Sequence, residues 1–440
     1  MNYQETIDYL FHAAPVFEKV GASAYKEGLS NTIALDEHFG HPHRQYRTIH
    51  VAGTNGKGSC SHTLAAILQA EGYRVGLYTS PHLVDFRERI RINGVCIDEE
   101  TVIKFVEEEK DFFEPLHPSF FELTTALAFK YFADQQVDIA VIEVGLGGRL
   151  DCTNIITPEL SLITNISFDH TQFLGNTLAK IAGEKAGIIK PHVPVVVGEA
   201  LPETRPVFEK KAQQEHAPII FAEDAPEVLH STYDVPSQQR IYKTLSFGEL
   251  RGDLTGCYQD KNTNTVLAAV KVLRQMHILK HPESLAQGMK NVMQTTGLMG
   301  RWQCLQKQTS TQPAIYCDTG HNVAGWNYLS QQLQQQKYET LRIVFGMVDD
   351  KDLQTIMKML PADAVYYWTQ PSTERAFPVE EIAKAGASNQ LRGQQYRTVR
   401  EAYSTCLKQA NPNDFVFVGG SSYIVADLLT FLERKRFKGI

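Results

Sequence analysis

The sequence predicts an α/β protein: a parallel-sheet P-loop ATPase domain over residues 1–297, opening with a helical segment, then a smaller Rossmann-like α/β domain over 298–440. Three observations predict it. A β-branched run at 47–51 feeds a glycine-dense turn holding one lysine, which opens into a segment with Leu64, Ile67 and Leu68 on one helical face. Short apolar runs then alternate with helical patterns as far as Val197, as expected of a parallel sheet covered on both faces. The alternation restarts after 294–301 (QTTGLMGR), a polar, glycine-bearing stretch that reads as a linker.

The turn at 51–59 (VAGTNGKGS) is the most informative element. Its glycines let backbone N–H groups point into one concave space, the helix end adds partial positive charge, and Lys57 adds a full one. The spelling departs from G-x-x-x-x-G-K-[ST], because Gly58 separates Lys57 from Ser59. The loop helix should end near Gly72 and lead into a strand at 73–79, giving a right-handed parallel unit. Further strands are expected at 137–144, 160–164 and 194–197, with helices at 122–133 and 178–189. Proline, acidic and β-like pieces within 200–255 are expected to pair on an edge of this sheet. In the second domain the strands fall at 314–317, 342–345, 365–369 and 415–418.

A chain of 440 residues exceeds one ordinary core, which agrees with two domains. Hydrophobic content of 43% and charged content of 21% place it among soluble globular proteins. The net charge of -7 without a basic stripe argues against a nucleic-acid partner. No apolar run approaches a bilayer span, and the first residues lack the form of a secretory signal. The 7 cysteines form no C-x-x-C pair and read as reduced thiols. The expectation is a cytoplasmic monomer with no membrane or nucleic-acid partner.

Ligands on parallel sheets gather beyond the carboxyl ends of the strands, so the polar residues found there are the candidates. Strand ends supply Lys57 and Ser59, then Ser80 and His82, then Glu143 before a GLGGR loop, then Asn165 with Asp169 and His170. Hydroxyl, carboxylate and imidazole suit magnesium beside a nucleotide. Each also has an ordinary reading: Ser80-Pro81 as a turn, His170 as a satisfied polar residue, Glu143 as a charge needing a cationic partner. Lys185, between Ile181 and Ile188, reads locally as a solvated helix lysine. Asp318 and His321 could contact a ribose or phosphate, or begin a capped turn; Asp352 could equally be a cap.

Together these residues resemble the folate branch of the Mur ligase superfamily, folylpolyglutamate synthase and its bifunctional form with dihydrofolate synthase. The resemblance runs in order through VAGTNGKGS at 51–59, TSPHL at 79–83, RERI at 87–90 and FFE at 120–122. It continues through EVGLGGRLDCTN at 143–154, DHTQFLG at 169–175, EKAGIIK at 184–190, GR at 300–301, DTGHN at 318–322 and FGMVDDKD at 345–352. Departures are Thr319-Gly320 where Gly-Ala is common, Val323 for a frequent proline, and Cys60 for a small hydroxyl residue.

The resemblance implies an ATP-dependent amide ligase. The family adds L-glutamate to dihydropteroate, to folate (poly)glutamates, or to both, through an acyl phosphate, releasing ADP and phosphate. It implies that Asn55, Gly56, Lys57, Gly58 and Ser59 hold ATP, with Asn262, Arg301, Asp318 and His321 as further nucleotide contacts. Ser80, Glu143 and His170 would bind Mg2+, and Lys185 would be carbamylated to help a second ion. Lys57, Lys185 and His170 become the catalytic candidates. Ser119, Phe120, Phe121 and Glu122, with 24–29, would form the pterin site. The alternatives are a folylpolyglutamate synthase with that single activity, another Mur-type ligase, or an ATP-gated regulator. Cell-wall Mur ligases place a nucleotide-sugar domain before the loop, whereas about fifty residues precede it here. Retention of Glu143, His170, Lys185 and Asp318 disfavours a regulator.

Overall fold

Branched aliphatic runs build a sheet in each half of the chain. The computed structural model describes residues 1–13, 28–349 and 351–438. It separates into two units, Met1–Leu298 and Met299–Ile440. Among the described residues, no helix is long and apolar enough to cross a membrane.

The sheet of the first unit comprises β1 (Arg47–Ala52), β2 (Val75–Tyr78), β3 (Ile90–Ile92), β4 (Val95–Cys96), β5 (Ile139–Glu143), β6 (Leu160–Ile163), β7 (Val195–Val197) and β8 (Ile219–Phe221). Their order is β4-β3-β2-β5-β1-β6-β7-β8, and the strands from β2 to β8 in that order are parallel. Alternate residues of each strand enter opposite cores. Ile49, Val51, Val141 and Leu162 pack with Leu64 and Leu68 and with Val266 and Val270 of helix Gln259–Gln275. Ile142 and Tyr78 pack on the other side with Phe129 and Phe132 of helix Phe120–Asp134. Each such side chain, fully buried, contributes roughly 1.5–3 kcal/mol.

Four features differ from the expectation. The sheet is mixed, because β3 runs antiparallel to β2 and is paired with β4 through Asn93-Gly94 at φ 47 and 79. Asn-Gly between apolar residues is a strong hairpin signal. Helix Lys57–Ala70 is not simply amphipathic: 58–68 are all buried, and the polar His62 is satisfied inside by Thr296 at 2.7 Å. Helices Glu283–Lys290 and Val292–Thr296 cover the face that water would otherwise occupy, so the stretch read as a linker is partly helical. Within 200–255 only β8 joins the sheet edge. The rest forms a separate antiparallel sheet of β9 (Val228–Asp234), β10 (Gln239–Thr244) and β11 (Glu249–Gly252), because Tyr242 and Leu250 are drawn into the core around helix Gln259–Gln275.

In the second unit β12 (Gln303–Gln306), β13 (Ala314–Asp318), β14 (Leu341–Phe345), β15 (Val365–Trp368), β16 (Arg392–Gln395) and β17 (Phe415–Gly419) lie in the order β12-β13-β17-β14-β15-β16. Only β12 is antiparallel to its neighbour. Neither edge strand was expected. β16 is polar and exposed at every position, so no apolar pattern marks it. Its Gly393 lies where a side chain would strike Trp368 and Tyr366.

Candidate active site

The loop after β1 is shaped by two glycines. Gly53 and Gly56 sit at φ 143 and 87, and a Cβ would run into the Thr164 hydroxyl from Gly53 and into the Asn262 side chain from Gly56. Only glycine allows that approach. The end of β6 pins the loop: Asn165 Oδ1 accepts from the Asn55 N–H (3.0 Å), while the Asn55 carbonyl accepts from Thr164 Oγ1 (2.6 Å) and Asn165 Nδ2 (3.1 Å). Gly56 is the N-cap of helix Lys57–Ala70, which places the first-turn N–H groups of Gly58 and Ser59 at this loop. Behind them, buried Gln259 donates from Nε2 to Ser59 Oγ (3.1 Å) and accepts from Asn262 Nδ2 at Oε1 (2.9 Å).

Two lysines meet at one carbonyl. Lys57 Nζ donates to the carbonyls of Gly53 (3.2 Å) and Thr54 (3.3 Å), and Lys185 Nζ donates to the same Gly53 oxygen (2.8 Å). Lys185 is only 4% exposed, so it is not the solvated lysine that its neighbours in sequence suggested. It shares the apolar face of helix Leu178–Ala186 with Ile181 and Ala182. Burial, then the charge of Lys57, pull its pKa down to about 7 against the opposing charges of Asp169 and Asp151.

The GLGGR loop after β5 holds that helix in place. Arg149 donates its N–H to the Glu184 carbonyl (2.7 Å) and its guanidinium to the Glu184 carboxylate (2.9 Å). Gly148 and Gly187 permit this docking, since a Cβ on either would strike backbone across the contact.

Ser80 follows β2, bonded to Pro81 through a cis peptide, and Glu143 ends the adjacent β5. The Ser80 N–H donates to Glu143 Oε2 (3.2 Å), so the structure brings these two together; Glu143 is 3% exposed. His170 takes a left-handed conformation (φ 49) at the start of helix Thr171–Leu174, with Nε2 3.8 Å from Asp169 Oδ1. Asp169, whose charge acts on Lys185, therefore links the His170 segment to the lysine pair.

The four residues expected at a pterin site divide. Ser119 and Glu122 form a reciprocal capping box on helix Phe120–Asp134, with Ser119 N–H donating to Glu122 Oε2 (2.6 Å) and Glu122 N–H to Ser119 Oγ (3.2 Å). Phe120 is buried, stacked on Phe11 with centroids 4.8 Å apart and lying 5.1 Å from the Arg89 guanidinium carbon. Phe121 alone lies against the GLGGR loop, where its ring fills the space a Gly145 side chain would need. Of the companion stretch, 24–27 lie outside the described residues. Asn31 just beyond it donates to Glu122 Oε2 (3.5 Å).

In the second unit Asp318 ends β13, 3% exposed. Its two oxygens accept from the Trp302 N–H (2.6 Å) and the Gly320 N–H (2.8 Å), tying the GR segment to the DTGHN loop. Arg301 donates to the Thr319 hydroxyl and to the Gly300 carbonyl (3.3 Å). Thr319, a departure from the family pattern, is thus where the guanidinium is held. His321 Nδ1 lies 3.1 Å from the Thr319 carbonyl. The helix cap here is Asn322, which accepts from Gly325 N–H (2.9 Å), and not Asp318; Asp352 proves to be a cap, accepting from Thr355 N–H (3.0 Å).

The family model for the Mur ligase middle domain matches residues 51–272, and that for the Mur ligase glutamate ligase domain matches 300–422. A dihydrofolate synthase/folylpolyglutamate synthase of Bacillus subtilis (strain 168) is 33% identical over 428 residues, covering 94% of this chain and 95% of the relative. The chain belongs to the dihydrofolate synthase/folylpolyglutamate synthase branch of the Mur ligase family. A folylpolyglutamate synthase of Lacticaseibacillus casei is 32% identical over 438 residues, with 97% of each chain covered. The structure of E. coli FolC in complex with DHPP and ADP superposes with a TM-score of 0.82 at 27% identity, covering 99% of both chains.

In this Mur ligase the sequence did not single out Gln259, Thr164 or Asp151. Gln259 lies three residues before Asn262 on one helical face, which was the available hint. Asp151 is buried and folds the GLGGR loop back by accepting from Leu146 N–H (2.8 Å), and burial raises its pKa. The docking of the lysine helix gives a direct expectation. Gly187 has an ordinary φ of -61, so Gly187→Ala adds no backbone strain and tests the steric contact with Arg149 alone. It should destabilise the protein by about 1–3 kcal/mol. Urea denaturation midpoints compared at equal m-value check this.

Proposed function

We propose that this chain uses ATP to join L-glutamate to dihydropteroate and to folate glutamates, with ADP and phosphate as products. The observation that carries the reading is the meeting of Lys57 and Lys185 on the Gly53 carbonyl, within a glycine loop at a helix N-terminus. The Lys57 charge at a helix N-terminus, with the buried Lys185 amine beside it on the same carbonyl, forms an environment suited to a polyanion and its metal. The relative in complex with DHPP and ADP supports both the nucleotide and the acceptor class.

A carboxylate is a poor acylating group, because its charge repels an amine and its oxygen leaves badly. In the proposed sequence the acceptor's carboxylate oxygen bonds to the terminal phosphorus of ATP as the bond to ADP breaks. The glutamate amine then attacks the acyl carbon, phosphate leaves, and the amine proton is released. Asn55, Gly56, Lys57, Gly58 and Ser59 hold the phosphates, and Lys57 balances charge that grows on the transferred group. Asn262 contacts the nucleotide in the first unit. Arg301, Asp318 and His321 keep, in the second, the nucleotide role that the resemblance implies.

Among the described residues no three His, Cys, Asp or Glu side chains form a metal cluster of their own. The proposed donors, Ser80, Glu143 and His170, are a hydroxyl, one carboxylate and one imidazole. Such a set fits Mg2+ completed by phosphate oxygens and water. Bound there, with a second ion beside a carbamylated Lys185, it would offset phosphate charge and orient the terminal phosphoryl. Phe121, whose ring lies against the GLGGR loop, is the aromatic residue we assign to the acceptor.

The decisive assay measures ADP release and labelled-glutamate incorporation with dihydropteroate and with tetrahydrofolate as acceptors. Glutamate-dependent turnover with both is expected, and none with either would sink the reading. The Lacticaseibacillus casei relative is named for folylpolyglutamate synthesis alone, so turnover only with tetrahydrofolate would favour the single-activity alternative. Glu143→Gln, which keeps the hydrogen-bond acceptor for Ser80 but removes the charge, should raise the magnesium concentration for half-maximal rate by about tenfold or more. An unchanged magnesium dependence would remove Glu143 from the metal set.

A further inference from the structure

We propose that Gln259 is a positioning residue that presets the Ser59 hydroxyl as a hydrogen-bond donor to a nucleotide phosphate. The proposal rests on the phosphate-loop reading above.

The hydrogen-bond inventory around Ser59 leads to it. Asn262 Nδ2 can only donate, so the Gln259 atom it meets at 2.9 Å is the amide oxygen. That fixes the rotation of the Gln259 amide and turns its NH2 group toward Ser59 Oγ, 3.1 Å away. An amide NH2 offers no acceptor at this contact, so Ser59 receives a proton from Gln259 and cannot return its own. A helix serine would ordinarily donate that proton to the carbonyl four residues back. Here that carbonyl is Asn55, and it already accepts from Thr164 Oγ1 at 2.6 Å and Asn165 Nδ2 at 3.1 Å. Both lone pairs are taken. The Gly56 carbonyl, three residues back, takes the helix N–H of Cys60 at 2.9 Å, so the Ser59 proton is left for an incoming oxyanion.

The arrangement is held firmly. Gln259 and Ser59 are each 2% exposed, and Cys60 Sγ contacts the Asn262 carbonyl at 3.8 Å, tying the two helices together beside the pair. A glutamine at this position therefore acts on a phosphate through the serine, while Asn262 orients the glutamine.

The test is a double-substitution cycle read by calorimetric titration with magnesium-ADP, with the Michaelis constant for ATP as the kinetic counterpart. Gln259→Met keeps length and removes the donor; it should weaken binding about tenfold, as expected for one oriented hydrogen bond. Gln259→Glu replaces donor by acceptor and draws the Ser59 proton away from the nucleotide, so it should weaken binding more than Gln259→Met. In a Ser59→Ala background, Gln259→Met should change affinity by less than twofold, a coupling that a merely structural role would not show. Equal losses with Ser59 present and in the Ser59→Ala background, or wild-type affinity in Gln259→Glu, would overturn the proposal. Should Gln259→Met fail to fold, Gln259→Glu in the same two backgrounds decides, with a smaller loss expected when Ser59 is absent and an equal loss overturning the idea. Wild-type protein that binds no magnesium-ADP would instead sink the phosphate-loop reading itself.

Discussion

Lys57→Ala is expected to lower kcat/KM for ATP roughly a thousandfold, the scale on which removing one oriented charge-stabilising group acts. Two features make the effect large. Lys57 is the first residue of the loop helix, where its charge adds to that of the free N–H groups. Its ammonium is held by the Gly53 and Thr54 carbonyls at 3.2 and 3.3 Å, so it is already ordered at the loop. The fold should survive. The two lost hydrogen bonds end on a loop that is only partly buried, worth about 0.5–1.5 kcal/mol each, and removing Lys57 also relieves its repulsion of Lys185. That repulsion gives a second readout: without Lys57 the Lys185 pKa should rise from about 7 toward its ordinary value. Steady-state rates, a urea melt and titration of Lys185 together check the claim. Turnover within tenfold of wild type would defeat it.

How far the sequence carried depends on where the deciding contacts lie. The loop at 51–59 was legible because its chemistry is local: glycines, a lysine and a helix start are adjacent in the chain. The central strands were legible because a parallel strand buried along its whole length is mostly apolar, as β5 and β6 are apart from Glu143 and Ser161. Lys185 was not, since four residues around it describe a helix but not what that helix lies against. Only the docking of Arg149 on Glu184, across two glycines distant in sequence, turns the lysine inward. Gln259 was hidden for the same reason: its partner Ser59 is two hundred positions away. Edge strands escaped on different grounds. β16 carries no buried residue to betray it, whereas β3 and β4 are too short for an apolar pattern and are marked in the sequence by their Asn-Gly turn alone.

Lys185→Ala is expected to abolish turnover, again by about a thousandfold or more, with partial recovery on adding acetate or formate. A lysine lowered to about 7 is substantially neutral near physiological pH, and only the neutral amine adds carbon dioxide. That addition forms an N–C bond, releases one proton and turns a neutral amine into a carbamate anion. The carbamate would answer the problem created by crowding two lysines onto one carbonyl, because the new anion would compensate Lys57 and supply an oxygen donor for a metal. Without carbon dioxide the lysine is a burden on the fold. Its pKa is depressed from 10.5 to about 7, so between those values the unfolded chain binds a proton that the folded protein has lost. Stability therefore rises with pH across that window, and the full penalty applies below about pH 7. Lys185→Met, similar in length but uncharged, should accordingly be inactive yet more stable than wild type at pH 7 in buffer freed of carbon dioxide. Bicarbonate should stabilise the wild type and leave the methionine variant unmoved. If small carboxylates restore nothing and bicarbonate shifts neither melting curve, the carbamate is wrong. The ligase reading would then rest on Lys57 and the loop, with Lys185 acting through its amine alone.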